Sequence, residues 1–263
     1  MLAALWLVAA PAVAAISLIS VQQEIAIGRQ TNAQVRKEVP ELQDGEVRAY
    51  VRDVLRRLVQ VAPGPKYPYS VAVANYREIN AFALPGGPVW INRGVLQSAT
   101  RESQVAAVLA HEIAHIAQRH AADQLTKGVA ANLGLGLLGA LLGNTGGATT
   151  ARSAAGVLAN GIFLKFSRDD EREADRVGLR MLGRAGWDGR GMIELFELLQ
   201  RESKRNPHAV DTFFSSHPSP SDRSSHLRSQ LGRETSGRRD SQQFQRVRTR
   251  LQKMPSALRT PRE

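Results

Sequence analysis

Two histidines four residues apart, with a glutamate directly after the first, interrupt an apolar run: Val105-Ala106-Ala107-Val108-Leu109-Ala110 leads into His111-Glu112-Ile113-Ala114-His115. Ionisable side chains in such a setting need partners, because burying an unpaired charge is costly. On a helix, positions i and i+4 share a face with Cβ atoms roughly 5–6 Å apart. Two metal–nitrogen bonds of about 2.0–2.1 Å can close that gap. Glu112 projects about 100° round the helix from His111 but only about 60° from His115. It therefore flanks a metal held by the two imidazoles, where it can take a proton from a water acidified by the ion and return it to a leaving group. The alternative, a solvated charged face, fits poorly with the apolar residues leading into the motif.

The flanks supply the helix. Thr100 is the expected N-cap and Glu102 the expected first-turn acid, and Val105, Val108, Leu109, Ile113 and Ile116 recur at helical spacing until the Lys127-Gly128 stop signal. The expectation is one helix over 100–127 with the metal pair near its middle.

A catalytic zinc takes three protein ligands and keeps a fourth position open. His120 follows His115 by five residues. Gln118 and Ala121 stand where the metzincin spacing needs Gly and His, so that class is excluded and His120 is expected to support the helix or the site from outside. A better source is Ser167-Arg168-Asp169-Asp170-Glu171-Arg172-Glu173-Ala174-Asp175, where Ser167 can cap a new helix and Glu171 and Asp175 share a face. One carboxylate can bind the metal while the other orients a ligating histidine through its second nitrogen. An acidic, solvated helix start paired with Arg168, Arg172 and Arg176 is the alternative, and spacing alone leaves both open.

The H-E-x-x-H helix followed by S-R-x-x-E-x-x-A-D resembles the zinc endopeptidase family that contains the CAAX prenyl proteases, the bacterial heat-shock protease HtpX and the periplasmic protease-chaperone BepA. The resemblance implies one Zn2+ per chain, held by His111, His115 and Glu171, with Asp175 supporting a histidine ligand, Glu112 as catalytic base and no role for Glu173. Two further stretches match. Asn80-Ala81-Phe82-Ala83-Leu84-Pro85-Gly86-Gly87, continued by Val89-Trp90-Ile91-Asn92-Arg93-Gly94, reads as two short strands around a Pro-Gly-Gly turn. Its edge, including Asn80, Ala81, Phe82, Gly86 and Gly87, is implied to bind an extended substrate. Ser216-His217-Pro218 resembles a family loop whose histidine can reach the zinc, which makes His217 a candidate fourth ligand or switch, against an ordinary loop histidine.

The resemblance implies an α+β, mostly α-helical fold: a zincin-like metallopeptidase domain with a small β-sheet edge next to the metal-binding helix. It implies peptide-bond hydrolysis of unfolded or misfolded proteins in the quality control of a bacterial envelope. A zinc-stabilised, chaperone-like binding module with vestigial proteolysis is the competing reading, and the intact Glu112 argues against it.

Composition sets the frame. At 263 residues and 43% hydrophobic content, one sizeable core uses nearly the whole chain. Residues 1–19 carry no charge and offer a small-x-small site at Ala12-Val13-Ala14 after Pro11, as in a signal peptide or N-terminal anchor, so export to the periplasm is expected. The absence of cysteine excludes thiolate ligands, so a zinc site must be built from His and carboxylate. The expected layout is 1–19 as leader, 20–232 as metallopeptidase domain with a Gly/Ala/Leu-rich helical hairpin over 128–164, and 233–263 as a basic C-terminal helix and tail. That hairpin is a candidate lid, membrane contact or plain packing element. The net charge of +11 comes without a nucleic-acid fold signature, so nucleic acid is not an expected partner. Phe244, Val247, Leu251 and Met254 stripe a basic amphipathic helix that docks on the domain or on an anionic membrane. Peripheral contact with a membrane or with outer-membrane assembly proteins completes the expected partners.

Overall fold

The computed structural model describes residues 19–132, 165–217, 223–232 and 235–261. The leader over 1–18 and the hairpin beyond Asn132, over 133–164, lie outside them. Two helices open the described chain. Helix α1 (Val21–Glu38) starts at a reciprocal capping box between Ser20 and Gln23, and α2 (Gly45–Val59) starts at Asp44, whose carboxylate accepts from the Glu46 and Val47 N–H groups. The apolar stripe Val47, Val51, Val54, Leu55 and Leu58 along α2 is buried.

Strands β1 (Ser70–Ala74), β2 (Ala81–Ala83) and β3 (Pro88–Asn92) form one sheet in the order β1-β3-β2. β1 runs parallel to β3, while β2 and β3 make the expected antiparallel hairpin, with Phe82 opposite Trp90. Its turn needs positive φ at Gly86 (72°) and Gly87 (130°). The turn sits on α1 at Gly28, where any Cβ would collide with the Pro85 carbonyl oxygen. Short α3 (Arg93–Ser98) follows directly.

Helix α4 (Glu102–Ala117) carries the paired histidines, and all 16 of its residues are buried. Helices α2, α6 (Arg168–Arg184) and α7 (Arg190–Arg205) and strand β2 all pack on it. Two expectations are corrected here. Arg101, not Thr100, holds the N-cap position and makes no side-chain cap bond; the Thr100 N–H instead donates to Gln104 Oε1 at 2.8 Å. The helix also does not run on to 127. It ends at Gln118, Arg119 adopts a left-handed φ of 64°, and α5 (His120–Asn132) starts afresh, so His115 lies in the last turn of α4 rather than near a helix centre. Apolar periodicity passes through such a kink without recording it.

Beyond α7 come a short 3-10 turn (Pro207–Ala209), α8 (Asp211–Ser216), α9 (Arg223–Gln230) and α10 (Gln242–Lys253). The stripe Phe244, Val247 and Leu251 of α10 is fully buried in the same core as α2 and α4, so this face docks on the domain. Arg93, itself buried, donates to the carbonyls of Leu251 and Pro255 at 2.8 Å each and so holds the C-terminal end of α10. The result is a mostly helical α+β fold in which the metal helix is the central element.

Candidate metal centre

Ser167 caps α6 through a capping box with Asp170, as the sequence indicates. From that start, Glu171 and Asp175 point at α4. His111, His115, Glu171 and His217 each offer one ligand atom, and these four atoms lie within 4.8 Å of one another, all on buried residues. His115 Nε2 is 3.1 Å from His111 Nε2 and 3.4 Å from Glu171 Oε1. His217, which follows α8 directly, places Nδ1 2.9 Å from Glu171 Oε1 and 3.4 Å from His111 Nε2.

The donor set fits a metal ion. Asp175 Oδ1 lies 3.1 Å from His111 Nδ1; an ionised carboxylate only accepts, so this contact suits a proton on Nδ1 and leaves Nε2 as the nitrogen that faces the cluster. Glu112 is buried on the same helix, and neither of its carboxylate oxygens has a hydrogen-bond partner among the described residues. A buried orphan carboxylate calls for a missing water or ion. Oxygen and imidazole donors without sulfur suit zinc and other divalent ions of similar preference.

Electrostatics favour positive charge at this point. Burial pushes the His111 imidazole down, but Asp175 and Glu171 outweigh it and raise it to about 10. His115 is pushed well down, by burial first and then by His111 and His217, despite its contact with Glu171. Burial would raise Glu171, yet His217, His111 and His115 hold it far below the usual carboxylate range. Asp175 is likewise held down against burial, chiefly by Arg223.

Arg223 went unassigned in the sequence although it lies only six residues beyond His217. Its Nε and Nη2 bind the two Asp175 oxygens at 2.7 Å, and Nη1 lies 2.7 Å from Glu171 Oε2. The expected arginines sit elsewhere: Arg176 pairs with Glu173 and Arg172 with Asp169 at the surface. Phe166, also missed, stacks on His115 with ring centroids 3.9 Å apart. His120 lies behind the site, with Nδ1 2.9 Å from His115 Nδ1. Glu173 is half-exposed and stays outside the ligand cluster.

The hairpin edge is placed against α4. Asn92 N–H donates to Asn80 O and Leu84 N–H to Pro88 O, so residues 80, 82 and 84 direct their backbone groups at β3. Ala81 and Ala83 therefore turn their N–H and C=O groups to the outer edge, as an added strand requires. Phe82 is half-buried and stacks on Trp90, while Asn80 is buried with no hydrogen-bond partner for its Oδ1 among the described residues. Among the described residues no helix is long and apolar enough to cross a membrane.

Comparison with known proteins gives the same direction. Residues 45–231 match peptidase family M48. The beta-barrel assembly-enhancing protease of Escherichia coli K12 is 33% identical over 217 residues, which cover 79% of this chain and 43% of that protein. A putative protease of the same name from Vibrio cholerae is 33% identical over 218 residues, 79% of this chain and 44% of its own length. The mitochondrial metalloendopeptidase OMA1 of Schizosaccharomyces pombe is 34% identical over 170 residues, 65% of this chain and 49% of its own. The chain thus spans less than half the length of these curated relatives.

Proposed function

The chain belongs to peptidase family M48, and from that premise we propose that it is a zinc-dependent endopeptidase that hydrolyses peptide bonds in unfolded or misfolded proteins. The observation that carries this reading is the buried convergence of His111, His115 and Glu171 beside the orphan carboxylate of Glu112.

His111, His115 and Glu171 would hold the ion, with Asp175 and Arg223 fixing His111 and Glu171 from behind. Zinc, when bound, supplies Lewis acidity for the scissile carbonyl and acidifies the attacking water. Glu112 takes the proton of that water and hands it to the departing amine; among the described residues neither of its oxygens makes a hydrogen bond that would compete. Ala81 and Ala83 bind the substrate backbone as an added strand, which holds the peptide extended along α4. His217 reaches both Glu171 and Glu112, and with its ring there the enzyme rests in a latent state.

Work on outer-membrane proteins in a bacterial envelope is supported by the names of the beta-barrel assembly-enhancing relatives and by the uncharged residues 1–19. The contact of His217 with Glu112 also favours a second reading, a zinc-stabilised binding module in which proteolysis is dormant.

Metal content and cleavage of an unfolded protein by zinc-loaded wild type and Glu112→Gln separate these. One equivalent of zinc in both, with cleavage by wild type alone, is the expected result. Equal cleavage by both removes Glu112 from the chemistry. No cleavage by either, with zinc retained, leaves the latent enzyme and the binding module, which His217→Ala separates: cleavage gained by that variant marks latency, and none supports the binding module.

A further inference from the structure

His115 has two ring nitrogens, and only Nε2 faces the ligand cluster, 3.1 Å from His111 Nε2 and 3.4 Å from Glu171 Oε1. Its Nδ1 points away, to His120 Nδ1 at 2.9 Å. Two imidazole nitrogens at that distance need one proton between them. For His115 to bind a metal through Nε2 as a neutral ring, Nδ1 must be the N–H, and His120 Nδ1 must then be the acceptor. The remaining His120 nitrogen, Nε2, carries its own proton towards Glu173 Oε2 at 3.4 Å. Glu173, outside the ligand set, thereby gains a part in the tautomer of His120.

This contact exists only because α4 breaks. On a continuous helix, His120 would lie five positions and about 140° round from His115. The left-handed turn at Arg119 brings it back onto the metal side. A left-handed φ disfavours any residue with a Cβ, so something must hold it. Arg119 Nε donates to Glu24 Oε1 at 2.6 Å, and its Nη2 reaches the same carboxylate and the Ile19 carbonyl. Tyr67 Oη fixes the other oxygen, Oε2, at 2.7 Å. Glu24 is buried on α1, ahead of the stretch that matches the peptidase family.

We propose that His120 is the positioning residue of the metal ligand His115, and that Glu24 of α1 sets this contact by clamping Arg119 in its left-handed turn. The N-terminal helix is thereby part of the metal site although none of its side chains reaches the ligand cluster. The inference rests on the metal-site reading above.

The test is zinc affinity of the full chain, read by competition with a chromophoric chelator, beside the unfolding midpoint of each variant. His120→Leu removes the acceptor and is expected to weaken zinc binding about 10–100-fold, the usual effect of losing a partner behind a ligand. His120→Gln, whose amide oxygen accepts, recovers most of that loss. Glu24→Ala weakens zinc binding in the wild-type background but adds nothing in the His120→Leu background, because both act through one contact. Should His120→Leu not fold, His120→Phe takes its place, since it keeps a ring beside Phe166. Wild-type affinity in a folded His120→Leu or His120→Phe variant overturns the proposal, as does full additivity with Glu24→Ala. A wild-type chain that binds no zinc overturns the metal-site reading itself, so the two failures are distinct.

Discussion

His217 lies between two carboxylates of different duty: its Nδ1 is 2.9 Å from Glu171 Oε1 and its Nε2 3.6 Å from Glu112 Oε1. One ring therefore touches both a candidate ligand and the candidate base. His217→Ala clears the space in front of Glu112 and removes one donor. Cleavage of an unfolded substrate should rise while zinc affinity falls by about 10–100-fold, as for other contacts around a metal. If neither quantity moved, His217 would be an ordinary loop residue.

Arg223 is the largest unexpected charge in the site, buried with Asp175 and Glu171 on its fork. Removing one member of a buried ion pair leaves the others uncompensated and costs about 3–5 kcal/mol. Arg223→Ala should lower metal-free stability by that amount in urea unfolding. Arg223→Lys should recover only part, because a lysine cannot bind Asp175 with two parallel bonds. A wild-type midpoint for Arg223→Ala would show that the fork contributes nothing.

Gly28 lets α1 touch the Pro85 carbonyl at the turn of the hairpin edge. Gly28→Ala must separate the two, and overpacking of this kind costs about 1–3 kcal/mol. Because the displaced hairpin carries Ala81 and Ala83, KM for a peptide substrate should rise more than kcat falls. Steady-state kinetics on a fluorogenic peptide would read this, and unchanged KM would place the binding edge elsewhere.

Asp44 caps α2 and takes Arg250 Nε from α10 at 2.7 Å. Partial desolvation pushes its carboxyl up, but the Val47 N–H and Arg250 outweigh that and hold it below the ordinary aspartate value. A depressed folded-state pKa stabilises at pH above the unfolded value, and the gain disappears as pH falls through the folded value. Asp44→Ala should therefore cost about 0.5–2 kcal/mol at neutral pH, the range for a lost cap. The gap to wild type should close below about pH 4, near the unfolded aspartate value. A pH-independent gap in thermal unfolding would contradict the ionic cap.

Much of the site was legible because it is written in local periodicity. The i, i+4 pairs His111/His115 and Glu171/Asp175 share a helix face by geometry alone, and the capping boxes at Ser20 and Ser167 need only the next three residues. The Pro85-Gly86-Gly87 turn and the buried stripe of α10 are local in the same sense. Which carboxylate serves as ligand was not local: spacing left Glu171 and Asp175 equivalent, and the resemblance to a family separated them.

What only the tertiary structure decided is what lies behind and above the ligands. Arg223 and Asp175 are 48 residues apart, and no periodicity links them. The kink at Arg119 hides inside a continuous apolar pattern, because helical spacing is much the same on either side of a single left-handed residue. Phe166 against His115, and Glu24 behind Arg119, depend on which helix faces meet once α1, α4 and α6 pack. The sequence by itself determined a histidine–carboxylate metal helix, since helical period and side-chain chemistry are properties of neighbouring residues. The order of partners around that helix came from burial, which is settled only when distant segments exclude water together.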